Sequence, residues 1–446
     1  MPLPTPATDE AIALLQALVR IDTSNPPGHE TAAAELLASH LRQDGYEPQL
    51  LEAAPGRTNL VVRHKGDGTG GGPLLLTGHL DVAPADATGW KHPPFSAEIA
   101  EGWLWGRGTL DMKNHLAACA TVMRQIARDG LKLKRDVIFA AVADEEAGCA
   151  LGSKFLVDQH PDLIRAEYAL GELGAFTFHM AGRRLYPIQV GHKGLAWLTL
   201  RAKGMAGHGS IPLEDSAPMR LARAVMRLGN MPLPVHVTEP ARRMLEGMGR
   251  ALGAGSSLAL KLACRPALTD FVLQNLIRDE KGRRLFGAVL RNTASVTQLK
   301  AGVAPNVYPL VAEATVDGRL LPGQATADLL REVRDVVDDD DVVCEAFREL
   351  PATESPTDTP LYRLLEEAVR AMDPGGAPYP QLVPGFTDAG ELARLGIRTY
   401  GFSPLVFPEG EVSLPDLIHG VDERIPLDGF RRGVQTLWDV VLGFCG

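Results

Sequence analysis

Asp144, Glu145 and Glu146 stand in a row at the end of Val137–Ala143, a short run of β-branched and small apolar residues. Such a run reads as a strand buried on both faces of a parallel sheet. In open α/β sheets ligands bind at the carboxyl edge of the strands, and acids this close repel one another unless a cation lies between them. A second apolar run, LLLTGHLDV (74–82), ends in His79 and Asp81, whose spacing of two sends both side chains the same way. That pattern suits an imidazole that binds metal through one ring nitrogen while a carboxylate orients the other. Asp111 closes the glycine-rich turn GRGTLD just ahead of a helical stretch, where an acid alone reads as an N-terminal cap. Beside two acid-bearing strand ends the balance shifts away from a simple cap.

Cys119, Cys149, Cys264, Cys344 and Cys445 are scattered, odd in number and never in a C-x-x-C pair. They read as reduced thiols, so a metal here uses oxygen and nitrogen donors.

The elements that must carry these residues alternate. A helix with Ile12, Leu15, Leu18 and Val19 on one face opens the chain, followed by the loop TSNPPG (23–28) and helical AAAELLASHLRQ (32–43). Strand-like Asn59–Arg63 and Leu74–Thr77 come next, then helical 115–130, the strand that ends in the three acids, a helix at about 153–159 and the strand AEYALGE (166–172). This order predicts an α/β fold with a mainly parallel sheet and helices on both faces. After about residue 187 the pattern changes: LAWLTLRAKG (195–204) alternates like a half-exposed antiparallel strand, a helix spans about 217–228, and ASVTQLKAG and PLVAEATVDGRL add strands. An inserted α+β domain over 188–352 is expected, interrupted by helical pieces at about 235–290 such as SLALKLAC and LTDFVLQNLI, with 1–187 and 353–446 forming the first domain. DDDD (338–341) reads as a solvated turn.

Bulk properties narrow the partners. The 446 residues are 45% hydrophobic and 22% charged, an ordinary globular composition, and 45 basic against 55 acidic side chains give a net charge of −10. That balance argues against nucleic acid or an anionic membrane surface. The amino-terminal MPLPTPATDEAIALL has neither a basic region nor a long apolar core, so a cytoplasmic location is expected.

GHLDVAP (78–84), WGRGTLDMKN (105–114), ADEEAG (143–148), ALGELG (169–174), GHKG (191–194) with GHGSIP (207–212), APNVYPLVAEATVDGRLLPG (304–323), GFTDAGE (385–391) and HGVDERI (419–425) occur in this order along the chain. Together they resemble the dinuclear zinc M20 family of metallopeptidases, which includes glutamate carboxypeptidase, aminoacylase, acetylornithine deacetylase and carboxypeptidase S. The resemblance implies a dizinc catalytic domain with an inserted lid and dimerisation domain. It implies that His79, Asp111 and Glu172 hold one zinc and that Asp111, Glu146 and His419 hold the other, with Asp111 as the bridge; cobalt or manganese suit the same donors. It makes Glu145 the general base and Asp81 the carboxylate behind His79. His208 becomes an oxyanion donor to a partner subunit's site, hence a homodimer, and Asn306 and Arg319 hold the substrate carboxylate. Asp144 acquires no role and reads as a turn or cap acid. Asn114, where many members have glycine, resembles the carboxypeptidase S and N-acyl-amino-acid hydrolase branch, and Leu173 stands where small residues are frequent.

The expected activity is hydrolysis of an amide beside a free carboxylate, in an N-acyl amino acid or a peptide. Rival readings are a deacetylase or desuccinylase of a biosynthetic intermediate, a dipeptidase, and a non-catalytic zinc-containing amino-acid-binding protein. Glu145 separates the last from the others, because a binding module needs no base.

Overall fold

The computed structural model describes residues 2–410 and 414–446. Two compact units emerge: one of Met1–Val190, Ser355–Gln381 and Thr387–Gly446, the other of Gly191–Glu354 with Leu382–Phe386.

In the first unit, four adjacent strands run parallel: Val137–Val142, Leu74–His79, Tyr168–Gly171 and Arg398–Gly401. Antiparallel strands flank them, Arg57–His64 and then Gln49–Ala54 on one side and Arg183–His192 on the other. Every residue of Leu74–His79 and Val137–Val142 is buried, as a strand covered on both faces requires. One face carries helices Thr5–Val19, Lys113–Arg128 and Leu427–Cys445, whose Leu15, Leu18, Val122 and Trp438 are fully buried. The other face packs Leu156, Val157, Ile164, Leu392 and Ile397 into a smaller core. Burying that much apolar surface on two faces is the dominant stabilising term and fixes the strand register.

The second unit is an antiparallel sheet in the order Thr293–Ala301, Val311–Leu320, Gly194–Lys203, Val342–Leu350. Buried and half-exposed residues alternate along Val311–Leu320, because only one face is covered. The cover is helix Ala217–Asn230, through Ala217, Leu221, Ala224 and Leu228, and helix Thr326–Val337. Four helices, Glu239–Leu252, Ala254–Ala263, Pro266–Asn275 and Glu280–Val289, fill the expected insertion. The turn at 338–341 is more than solvated: Asp338 takes a left-handed backbone that ends its helix, and Arg220 and Arg227 pair with its acids.

All five cysteines are free thiols. Among the described residues no helix is long and apolar enough to cross a membrane.

Candidate metal centre

Three neighbouring parallel strands deliver their carboxyl ends to one place. His79 is the last residue of Leu74–His79, the acids 144–146 follow Val137–Val142, and Glu172 follows Tyr168–Gly171. Asp111 arrives just before helix Lys113–Arg128, and His419 from the turn after Leu414–Leu417.

His79 Nδ1 lies 2.8 Å from the main-chain carbonyl of Asp81, which only accepts hydrogen bonds. Nδ1 therefore carries a proton, and Nε2 faces Asp111 Oδ1 at 3.2 Å and Glu172 Oε2 at 3.7 Å, where those acids favour a second ring proton and a bound cation would take its place. His419 Nε2 stands 3.2 Å from the other oxygen of Asp111 and 3.1 Å from Glu146 Oε1. Two imidazoles thus address the two oxygens of one buried carboxylate, each with a second acid beside it. The donor atoms of His79, Asp111 and Glu146 lie within 4.8 Å of one another, as do those of His79, Glu145 and Glu172. Glu172 Oε1 is buried without a hydrogen-bond partner. Lone pairs converging from nitrogen and oxygen, with a buried carboxylate oxygen left over, fit divalent cations.

The electrostatics of the cation-free chain point the same way. Burial and then the Glu172 charge push Glu145 well above the usual carboxylate range. Burial pushes Glu172 up to about 7. Burial acts to raise Asp111 too, but hydrogen bonds from His419 and His79 overturn it and hold Asp111 low. Hydrogen bonds that its ring donates to Asp111 and Glu146 lift His419 to about 10.

Several details depart from the sequence reading. The strand stops at Val142, and Asp144 takes a left-handed φ of 68°, so strand alternation does not govern where Glu145 and Glu146 point. A turn aims them, and Gly152 permits its close approach, since a Cβ there would sit 1.7 Å from the Ala143 carbonyl oxygen. The Asp81 carboxylate is 3.6 Å from His79 Nδ1, beyond hydrogen-bond range. It accepts instead the N–H groups of Glu145 and Glu146 at 3.1 and 3.0 Å and the amide of Asn25 at 2.8 Å. Asp144, expected as a turn acid, caps Leu151 N but is also buried, and it takes bonds from Arg57 at 2.9 Å and Asn25 at 3.1 Å. Arg57 in turn grips the fully buried Glu30.

Asn25 and Arg57 thus form part of the setting of the site, as do Arg107 and Glu423, which bond to the main chain of His419 and of Leu110 and Asp111; sequence reading gave none of the four a role. Leu173 and Asn114 both line a cavity of about 20 Å³ against Asp111 and Glu172.

The second unit holds the remaining expected residues. His208 is exposed on the short strand Gly207–His208, which pairs with Val307–Tyr308. The N–H of Ser210 donates to His208 Nδ1 at 3.2 Å, so the neutral ring carries its proton on Nε2. Asn306 is exposed, and its carbonyl accepts from Gly209 N next to His208. Arg319 lies near the far end of Val311–Leu320, eight residues or roughly 26 Å beyond Val311 at strand rise. One copy therefore does not bring Asn306 and Arg319 together. Asp317 takes Nε and Nη2 of Arg319 at 2.9 and 3.1 Å, while Nη1 is buried without a hydrogen-bond partner.

Known proteins share this arrangement of elements. Over 385 residues the chain is 29% identical to the N-fatty-acyl-amino acid synthase/hydrolase PM20D1 of Bos taurus, covering 83% of this chain and 73% of that one. Its fold matches the M20 family metallo-carboxypeptidase Sso-CP2 of Sulfolobus solfataricus at a TM-score of 0.72 and 18% identity, over 98% of this chain and 99% of that one. The Bacillus subtilis YXEP protein, a dinuclear metal binding peptidase of the M20 family, matches at a TM-score of 0.62 and 12% identity, over 98% of each. The sequence profile of Peptidase family M20/M25/M40 matches residues 75–442. The chain belongs to that family and is a metallohydrolase acting on amide or peptide bonds.

Proposed function

We propose that the chain hydrolyses an amide bond next to a free carboxylate, in an N-acyl amino acid or at the carboxyl end of a peptide. The observation that carries this reading is the pair of imidazole Nε2 atoms on the two oxygens of Asp111, with the Glu145 carboxyl among the same donors. His79, Asp111 and Glu172 would hold one zinc ion, and Asp111, Glu146 and His419 a second. Bound there, divalent cations would polarise the scissile carbonyl and make water a stronger acid. Glu145 takes a proton from the attacking water, whose oxygen bonds to the carbonyl carbon. The C–N bond then breaks, and Glu145 returns the proton to the leaving nitrogen. Asp81 holds Glu145 for this task through its main-chain N–H.

His208 donates from Nε2 to the oxyanion that forms on the carbonyl oxygen, and its exposure suits a group that serves the site of a second copy. The strand that separates Asn306 from Arg319 supports the same homodimer, because substrate binding by both residues needs two chains. Arg319 keeps Nη1 for a carboxylate. Free, mostly buried thiols fit a cytoplasmic setting.

The test is hydrolysis of N-acyl amino acids, their methyl esters and dipeptides by zinc-loaded and chelator-stripped protein, followed by mass spectrometry. Metal-dependent release of free amino acid, with the esters far slower, supports the reading. Equal rates on the esters remove Arg319 from carboxylate binding. A protein that binds two ions and releases nothing favours the amino-acid-binding reading or an amide substrate with no free carboxylate.

A further inference from the structure

His79 is oriented locally, by a carbonyl two residues away. Among the described residues no main-chain carbonyl accepts a hydrogen bond from the His419 ring. Its backbone sits at a left-handed φ of 59°, a conformation that a side-chain-bearing residue keeps only when its surroundings impose it. The imposed contact comes from 312 positions earlier in the chain: Arg107 Nη2 donates to the His419 carbonyl at 3.0 Å. The same guanidinium donates through Nη1 to Glu423 Oε2 at 2.6 Å. Glu423 Oε1 accepts the main-chain N–H groups of Leu110 at 2.7 Å and Asp111 at 3.1 Å. Arg107 is 3% exposed and Glu423 not at all, and the ring of Trp90 stacks on the guanidinium at 5.6 Å. Below them Arg424–Pro426 pairs with Trp103–Trp105.

We propose that Arg107 and Glu423 are a positioning pair that ties the backbone of Asp111 to that of His419 and so sets the affinity of the His419-side ion. The inference rests on the ligand assignment proposed above. A buried ion pair is a poor source of net stability, since apolar residues of like volume often do as well. Its distinctive product is geometry: a planar fork engages one acceptor on each side and holds two chain segments in register. Cutting it releases His419 while His79 keeps its carbonyl, so the two ions respond unequally.

Chelator-stripped full-length protein is titrated with Co2+ and followed by visible absorption, for the wild type, Arg107→Lys and the double variant Arg107→Met with Glu423→Gln. The double variant leaves no unpaired buried charge, and its glutamine oxygen still accepts from Leu110 and Asp111. Expected are two Co2+ in the wild type, and in the variants one ion bound as before and one weakened by roughly 10–100-fold. Both ions at wild-type affinity in a variant overturn the proposal. So does equal weakening of both in a variant whose metal-free melting is unchanged. A wild type that binds fewer than two ions overturns the ligand assignment instead. If neither variant folds, amide exchange of the wild type decides: Co2+ must protect 106–112 and 417–424 together, and protection of 417–424 alone overturns the coupling.

Discussion

Most of the site's polar residues in the first unit are buried, whereas those at one edge of the second are exposed; the exposed His419 of the first and the buried Lys193 of the second run the other way. In the first, His79, Asp111, Glu145 and Glu172 are all buried, and Asp81, Glu423 and Arg107 hold the backbone or rings of the proposed ligands and of Glu145. In the second, His208 and Asn306 stand exposed on a two-residue strand and the loop beside its partner. Groups that move protons or hold cations gain from desolvation and prior orientation, because charge interactions strengthen away from water. Groups that must reach a substrate or a second chain gain from exposure. Substitutions in the first unit should therefore cost chemistry or folding, and those at the exposed edge of the second should cost turnover alone.

Glu145→Gln is the strongest trial of this division. Turnover should fall by roughly 10²–10⁴-fold with metal content unchanged, as loss of a general base predicts. Measured turnover close to the wild-type value would move the base elsewhere. Arg57→Met comes next: it strands Glu30 and Asp144 as buried charges, and urea unfolding should show a loss of roughly 3–5 kcal/mol. A loss below about 1 kcal/mol would mean that the acid turn holds itself together. His208→Ala should lower turnover by roughly 10²-fold, as removal of one oxyanion donor does, while metal content and melting temperature stay put. A drop in melting temperature would erase the contrast between the units.

A further expectation concerns pH dependence. Lys193 is buried in the second unit, where its ammonium donates to the carbonyls of Ala288 and Arg291 and to Thr293. Burial, then the nearby Arg319, lowers it from 10.5 to about 7. Between those values the unfolded chain holds a proton that the folded chain has released, so stability rises with pH across the window and falls as pH drops toward 7. Lys193→Met should flatten that slope in unfolding curves from pH 7 to 10. An unchanged slope would mean that Lys193 keeps its proton in the fold.

Much of this was legible from residues alone. The runs Leu74–His79 and Val137–Val142 announce buried parallel strands because both faces are covered, and acids at their ends mark the ligand edge. The alternation in Val311–Leu320 equally announces a sheet with one covered face. Illegible were the contacts across long sequence distances: Arg57 with Asp144, Asn25 with Asp81, Arg107 with Glu423. A lone arginine carries no periodicity, and its partner is fixed only when the chain has folded. Equally hidden was the direction of Glu145 and Glu146, since the left-handed Asp144 breaks the alternation that strands obey.

The pairing of Arg424–Pro426 with Trp103–Trp105 also has a bearing on biosynthesis. His79, Asp111, Glu145, Glu146 and Glu172 all leave the ribosome before the second unit is made, whereas His419 and Glu423 follow it. During that interval the nascent chain carries a cluster of acids with one imidazole. The proposed two-ion centre, which needs His419, would close only after the inserted unit has been synthesised. The order of the chain thus makes completion of the metal site one of the last events in the making of the molecule.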